Sequence, residues 1–548
     1  MKPSFVIAAS VGLAVVSVAL GASLVHFDTR PYQMAQSFHS RVENWLGEED
    51  PIPPTTFEST FVNLDAVSRP LDLSRQLSGG GLTRLEDGVL VLAADGTFFY
   101  ATSPENIQKL SIAAPPNGFE AYKEDAEGRF SNLEHRFYWF RYNDILAIKE
   151  DETLSLIASF TRYHPERACY GTALARLDIS DEDFANVSAD ASAWKTLYET
   201  EPCLPLKETF RAIEGHTAGG RIAYDGNEHI YLGSGDYHLD GLYSDVSVAQ
   251  NDDYDHGKVI KIALDGSGHS TFSKGLRNMQ GVAWFNGALW TVEHGMRGGD
   301  ELNLITEGRN YGWPQVTFGT QYNLKPMPGT EDSIGRHDGF EKPVFAWLPS
   351  VAISSLNAMN DVHPAWNGDL LMASLAGQSL FRIRIEDDRV LFAERIPVGM
   401  RVRYAQPVEG GAVLLSDDNN LVFLEARDIY EHDPIGDTIA QMGLNEADVD
   451  ALQQVIQSCI ECHSVALGDH TNAPSLAGLS GRSIGATPFD GYSEALGKKS
   501  GTWTKDSLQS YLDDPQAFAP GTIMPDPGID NPETLERLSE LISLLPNS

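Results

Sequence analysis

The sequence predicts an all-β six-bladed β-propeller followed by a small all-α domain, on three observations. Across residues 61–430, short apolar strands recur behind a polar turn, glycine is frequent and helical periodicity is scarce. Such units stand at 87–92, 143–148, 227–232, 286–291, 367–372 and 410–415, and their uneven spacing suits one unit per blade with long insertions better than a sandwich. From about Asp437 the pattern changes, with apolar residues at helical spacing on either side of a loop that holds two cysteines.

Taken in chain order, the first element is apolar. After Lys2, the run from Phe5 to Val25 carries no charge and is long enough to cross a bilayer at about 1.5 Å per residue. Residues 1–30 therefore read as a signal peptide or a membrane anchor. The small-residue stretch at 19–22 offers a cleavage site, but the run outlasts it, which favours an uncleaved anchor. Either form exports the remainder, placing it in the periplasm, with or without attachment to the inner membrane. Residues 31–60 follow as a linker. A net charge of −37 argues against nucleic acid or an anionic membrane surface as a partner, since both need a basic footprint. It suits steering of a basic redox partner.

The second domain, 437–548, carries the most specific motif. Cys459 and Cys462 stand three apart with His463 directly after them, an order that holds a haem covalently and ligates its iron; the bland alternative is a zinc half-site or a buried thiol pair. Met524, in the Pro-framed loop 520–525, offers the thioether that a second axial position needs, where it raises the iron's potential. One flank, 445–456, has helical spacing and an acidic first turn. The other opens at Asn531-Pro532 and sets Leu535, Leu538, Leu541, Ile542 and Leu545 in one stripe. With 478–482, 492–496 and Trp503-Thr504, this order resembles a class I cytochrome c. The resemblance implies haem c attached through Cys459 and Cys462, with His463 and Met524 as iron ligands. The two other cysteines, Cys169 and Cys203, are expected to pair in an exported chain, closing a loop worth roughly 3–4 kcal/mol.

Within the β-rich region, 275–281, 293–303 and 308–314 set polar side chains and carbonyls between Gly-rich turns. Here the chain resembles the soluble quinoprotein sugar dehydrogenases, the glucose/sorbosone or aldose dehydrogenase family, which are six-bladed propellers carrying pyrroloquinoline quinone (PQQ) and calcium. The likeness is dense over 216–314, looser over 367–424 and poor before Tyr163. It implies that His216 is the general base, a task suited to a side chain that titrates near neutral pH. Asp236 would orient that imidazole and Gln280 would meet the substrate. Arg277 and Asn278 match quinone contacts, and Arg401 and Arg403, on one side of an extended strand, match a pair that converges on the quinone's carboxylates. Gly295 and Met296 would offer backbone carbonyls to calcium. Each residue has a plain structural alternative: a strand-edge histidine, a turn aspartate, a solvated arginine. Only the set favours function.

Departures from the family pattern are Met279 and Met296 where proline is usual, Ala376 where some members place a lysine against the quinone, and His294 where glucose-oxidising members have glutamine. Together the two halves imply PQQ-dependent oxidation of an aldose sugar or related alcohol, with electrons passed to haem c. An external cytochrome, copper protein or terminal oxidase would then accept them. The alternative is a quinone-free propeller that serves as a binding or docking module for an electron-relay cytochrome.

Overall fold

The computed structural model describes residues 55–545 apart from 131–132, 151–152, 181–183, 207–214, 333, 430–433, 467–469, 488 and 490. The expected signal peptide or anchor at 1–30 lies outside the described residues. Among the described residues, no helix is long and apolar enough to cross a membrane.

Six antiparallel sheets make the propeller. Their inner strands are Gly80–Leu85 in blade one, Tyr142–Glu150 in two, Gly219–Tyr224 in three, Met279–Phe285 in four, Ile353–Met359 in five and Val402–Val408 in six. Each packs against the next, and the sixth against the first, so the ring closes. The chain ends fasten it: Val62–Pro70 pairs along its whole length with Asn420–Asp428, and Thr55–Glu58 adds an outer strand to the same sheet. That outer strand falls inside the stretch expected to be linker. Its Phe57 is buried in the blade-six core, so the propeller begins by Thr55.

Five of the six sequence units are the second strand of their blade: Gly88–Ala93, His229–Ser234, Ala288–Glu293, Asp369–Ser374 and Gly411–Ser416. The turn before one of these shows why they stand out, since Asn286 and Gly287 both take positive φ, as a tight hairpin requires. The unit at 143–148 is different. It is the inner strand of blade two, and the polar pair Asn143-Asp144 at its head is no turn. Asp144 is buried, accepts from the Ile145 and Ile222 amides and lies 3.5 Å from Arg221.

Arg221 is the axle. It belongs to blade three, yet its guanidinium donates to the carbonyls of Gly80, Asn143, Gln280, Ser354 and Arg403, one from each of the other five blades. Four of those carbonyls belong to β-bulge residues. In blades two to six the register slips at the second residue of the inner strand, at Asn143, Gly220, Gln280, Ser354 and Arg403. A bulge turns its extra residue out of the ladder, here presenting a carbonyl to the axis.

Cys169 and Cys203 are joined, with Cα atoms 5.6 Å apart, tying the strand Cys169–Ser180 to the short strand Leu204–Pro205. The second domain is helical. Asn445 caps Glu446–Ile460, and Asn531 caps Pro532–Leu544 with Pro532 in its first turn. All five residues of the predicted stripe are buried in the core. The helix Pro434–Gln441 adds Ile435 and Ile439 to that core, so the domain starts slightly before residue 437.

Candidate functional sites at the propeller mouth and in the helical domain

The inner strands all start at one end of the ring, and the residues leading into them form its mouth. From blade three comes His216, half-buried. Its Nδ1 meets His238 Nε2 at 3.0 Å, and its ring stacks on Trp139, with centroids 4.3 Å apart. Asp236 does not touch that imidazole in the arrangement expected from sequence. Its carboxylate accepts from Thr217 Oγ1 at 3.0 Å, from the His238 amide at 2.9 Å and from Trp313 Nε1 at 2.8 Å. Burial pushes it up to about 6 against the pull of Arg277. His238 thus meets the His216 ring directly, and Asp236 stands one step back, bonded to the His238 amide.

Blade four supplies Arg277, Asn278 and Gln280, all buried. Asn278 Oδ1 accepts from the Gly219 amide and from Gln280 Nε2, which locks the blade-four residues to the loop carrying His216. Arg277 Nη1 donates to the carbonyls of His294 and Gly295 at 2.9 and 2.7 Å, while its Nε has no partner among the described residues. The Glu293 carboxyl takes the Arg277 amide and the Asn303 side chain. His294 donates Nε2–H to the Ile353 carbonyl, and burial holds it below its ordinary pKa, so it is neutral.

From blade six come Arg401 and Arg403, and both engage the same carboxylate. Arg401 Nε donates to Asp417 Oδ2 at 2.8 Å, and Arg403 donates to Oδ1 at 2.5 and 3.1 Å. Arg403 is buried, whereas Arg401 is 46% exposed, so the pair is asymmetric.

Calcium fits this arrangement poorly. The Gly295 carbonyl already accepts from a guanidinium, and a dication on the same oxygen would sit against that positive charge. The Met296 side chain is packed with Ala249, Trp313 and Met327, which accounts for methionine there, while the ligand expected of this residue is its backbone carbonyl. Met279 is likewise buried in the core between blades. An anionic quinone fits better: Arg401 and Arg403 share one carboxylate, Asp417, and Arg277 Nε lacks a partner among the described residues.

In the helical domain, Cys462, His463 and Met524 line one open cavity walled by Leu476, Leu479, Leu496, Trp503, Tyr511 and Leu512. His463 Nδ1–H donates to the Pro474 carbonyl at 2.6 Å, which leaves Nε2 free to bind a metal, and burial lowers the ring's pKa from its ordinary value. Cys459, one turn earlier, is half-buried against the same core. The Met524 loop is pinned by Gln516, which donates to the Thr522 carbonyl and accepts from the Gly521 amide. Thiols and imidazole on one wall and a thioether on a loop suit a covalent haem.

A family model described as Glucose / Sorbosone dehydrogenase matches residues 145–424. The chain belongs to that family. Aldose sugar dehydrogenase YliI of Escherichia coli (strain K12) is 31% identical over 226 residues, covering 38% of this chain and 58% of that protein. The uncharacterized protein slr1608 of Synechocystis is 29% identical over 288 residues, covering 48% of this chain and 64% of its own length. The chain thus spans less than two thirds of these curated relatives. A crystal structure of a glucose dehydrogenase superposes with a TM-score of 0.50 at 25% identity, covering 66% of this chain and 99% of that one. The helical region has its own relatives: cytochrome c of Guizotia abyssinica is 41% identical over 76 residues (14% of this chain, 68% of that protein), and cytochrome c2 of Rhodoplanes tepidamans 44% over 83 residues (15% and 78%). The chain is a glucose/sorbosone-type dehydrogenase propeller fused to a cytochrome c.

Several mouth residues escaped the sequence reading. Trp139, Arg141 and Asn143 come from blade two, where the family likeness is poor, and His238 lies two residues past the aspartate that the likeness singled out. One signal was present: Arg141-Tyr142-Asn143 repeats the polar, apolar, polar pattern of Asn278-Met279-Gln280 and Arg401-Val402-Arg403 at the head of an inner strand.

Proposed function

We propose that this glucose/sorbosone-type propeller oxidises an aldose sugar or related alcohol with PQQ at its mouth, and that the fused cytochrome c carries the electrons to an external acceptor. The observation that carries the reading is the juxtaposition, in one mouth, of a paired histidine with two arginines, Arg401 and Arg403, that share a single carboxylate. The relatives named for aldose sugar and glucose dehydrogenase support the substrate class. When bound, PQQ supplies a two-electron acceptor and haem c a one-electron carrier.

The chain's own residues do the rest. His216 takes the hydroxyl proton at Nε2, with its Nδ1 protonated and donating to His238 Nε2, which holds the ring. Trp139 stacks on the base and limits its rotation. Arg277, Asn278, Arg401 and Arg403 hold the anionic cofactor, with forks that match carboxylates. Gln280, whose Nε2 is held by Asn278, keeps its carbonyl oxygen for a substrate hydroxyl to donate to. Cys459 and Cys462 attach haem c, and His463 and Met524 ligate its iron. No step is drawn through calcium.

The test is direct. With PQQ added to the haem-loaded protein, a panel of aldoses and alcohols is supplied and the reduced-haem band is followed. Reduction should require both PQQ and substrate and fall at least a hundredfold in His216→Ala. A haem that stays oxidised across the panel, in protein that retains no PQQ, would favour the docking-module reading instead.

A further inference from the structure

Blade two has so far been given no part in cofactor binding. The bulge register shows what stands there. At the bulge itself blade two has Asn143, blade four Gln280 and blade six Arg403; two residues earlier they have Arg141, Asn278 and Arg401. Backbone geometry therefore places Arg141 and Asn143 where blades four and six put their cofactor-facing residues.

The side chains agree with that placement. Arg141 is 7% exposed and Asn143 5%, yet Arg141 Nε and Asn143 Nδ2 have no hydrogen-bond partner among the described residues. Arg141 Nη1 donates to the Ser78 carbonyl, which fixes the fork at the blade-one edge of the mouth. The guanidinium stands over the Trp139 ring at 4.9 Å, and that ring stacks on His216. Buried donors are normally satisfied, and an unsatisfied buried cation is costlier still. Among the described residues no carboxylate forms an ion pair with Arg141: Asp417 lies near enough to favour its charge but is bonded by Arg401 and Arg403, and Asp144 stands against Arg221. Burial, with Arg403 next in weight, draws its pKa down to about 9.

We propose that Arg141 and Asn143 form the blade-two wall of the PQQ pocket, with Arg141 pairing a quinone carboxylate and replacing the cation missing at Ala376. In the ring, blade two stands across from blade five, which carries Ala376. The charge has thus moved to the opposite wall, beside the base, rather than being lost. This rests on the quinone reading given above.

Equilibrium dialysis of PQQ against the haem-loaded full chain tests it without relying on turnover. Arg141→Gln should weaken binding by about ten- to a hundredfold, the range for a charge-assisted hydrogen bond to a buried partner. Arg141→Lys should fall between, and Asn143→Ala should weaken binding less. The salt dependence of PQQ affinity should flatten in Arg141→Gln and persist in Arg141→Lys. Wild-type affinity retained in Arg141→Gln would overturn the inference. A wild-type chain that binds no PQQ would instead overturn the reading beneath it, and Arg277→Gln serves as the control that separates the two. If Arg141→Gln fails to fold, binding to Arg141→Lys and Asn143→Ala decides, and unchanged affinity in both would sink the proposal.

Discussion

The haem cavity takes its lining from residues 462–542 and is walled by leucine, tryptophan and tyrosine. The propeller mouth gathers residues from Ser78 to Asp417, a few from each blade, and is walled by guanidinium groups, imidazoles and carboxyls. One cofactor would be held by covalent links and apolar contact, the other by charge alone. The difference has an energetic side. Apolar walls stabilise their own domain by burial, whereas converging arginines repel one another and must be held by other means. Asp417 holds Arg401 and Arg403, and inward carbonyls from five blades hold Arg221.

Substitutions that strike one centre and spare the other test that contrast. The largest effect is expected from Arg221→Met, which strips five carbonyls of their donor and leaves Asp144 buried without its cation; about 3–5 kcal/mol of propeller stability should be lost in denaturant unfolding while the haem spectrum is unchanged. Leu538→Ala, in the buried stripe, is the mirror experiment. It should cost about 2–5 kcal/mol in the cytochrome transition alone. Next comes replacement of both Cys169 and Cys203 by serine, which should lower propeller stability by about 2–4 kcal/mol and leave the haem potential unmoved. Met524→Leu removes the thioether without emptying the loop, and redox titration should show a lower haem potential with both unfolding transitions intact.

The smallest effect is a slope. Burial would raise the Asp417 pKa, but Arg403 and Arg401 outweigh it and hold the carboxylate well below its ordinary 3.8. A depressed folded-state pKa contributes stability that is present above 3.8 and is lost as pH falls from there toward the folded value. Asp417→Asn should flatten that acid limb of the stability curve. An unchanged limb would mean that the arginines of the mouth are balanced elsewhere.

How much of each centre was legible follows from the same contrast. The expected haem site is local: Cys459, Cys462 and His463 are near-adjacent, Met524 falls in the same small domain, and the spacing of the first three is the one that haem attachment needs. The stripe from Leu535 to Leu545 was equally readable, because helical period alone assigns it to a core. In the propeller, the blade count was readable because hairpin turns such as Asn286-Gly287 need particular backbone conformations. Which strand of a blade each unit formed was not. Asn143-Asp144 has the composition of a turn, but its carboxylate is buried against Arg221 and its amide side chain sits at the mouth.

By itself, then, the sequence determined the two-domain architecture and the cysteine-histidine motif, and it singled out His216, Arg277, Asn278, Gln280, Arg401 and Arg403. Only the tertiary structure decided that His238 rather than Asp236 meets His216, that Arg277 donates to the Gly295 carbonyl expected for calcium, and that Arg141 and Asn143 stand at the same register as the residues of blades four and six. The physical reason is ring closure. Contacts such as that of His216 with Trp139, or of Arg221 with Gly80 and Arg403, join residues far apart in sequence whose proximity depends on six blades fixing the inner strands in register.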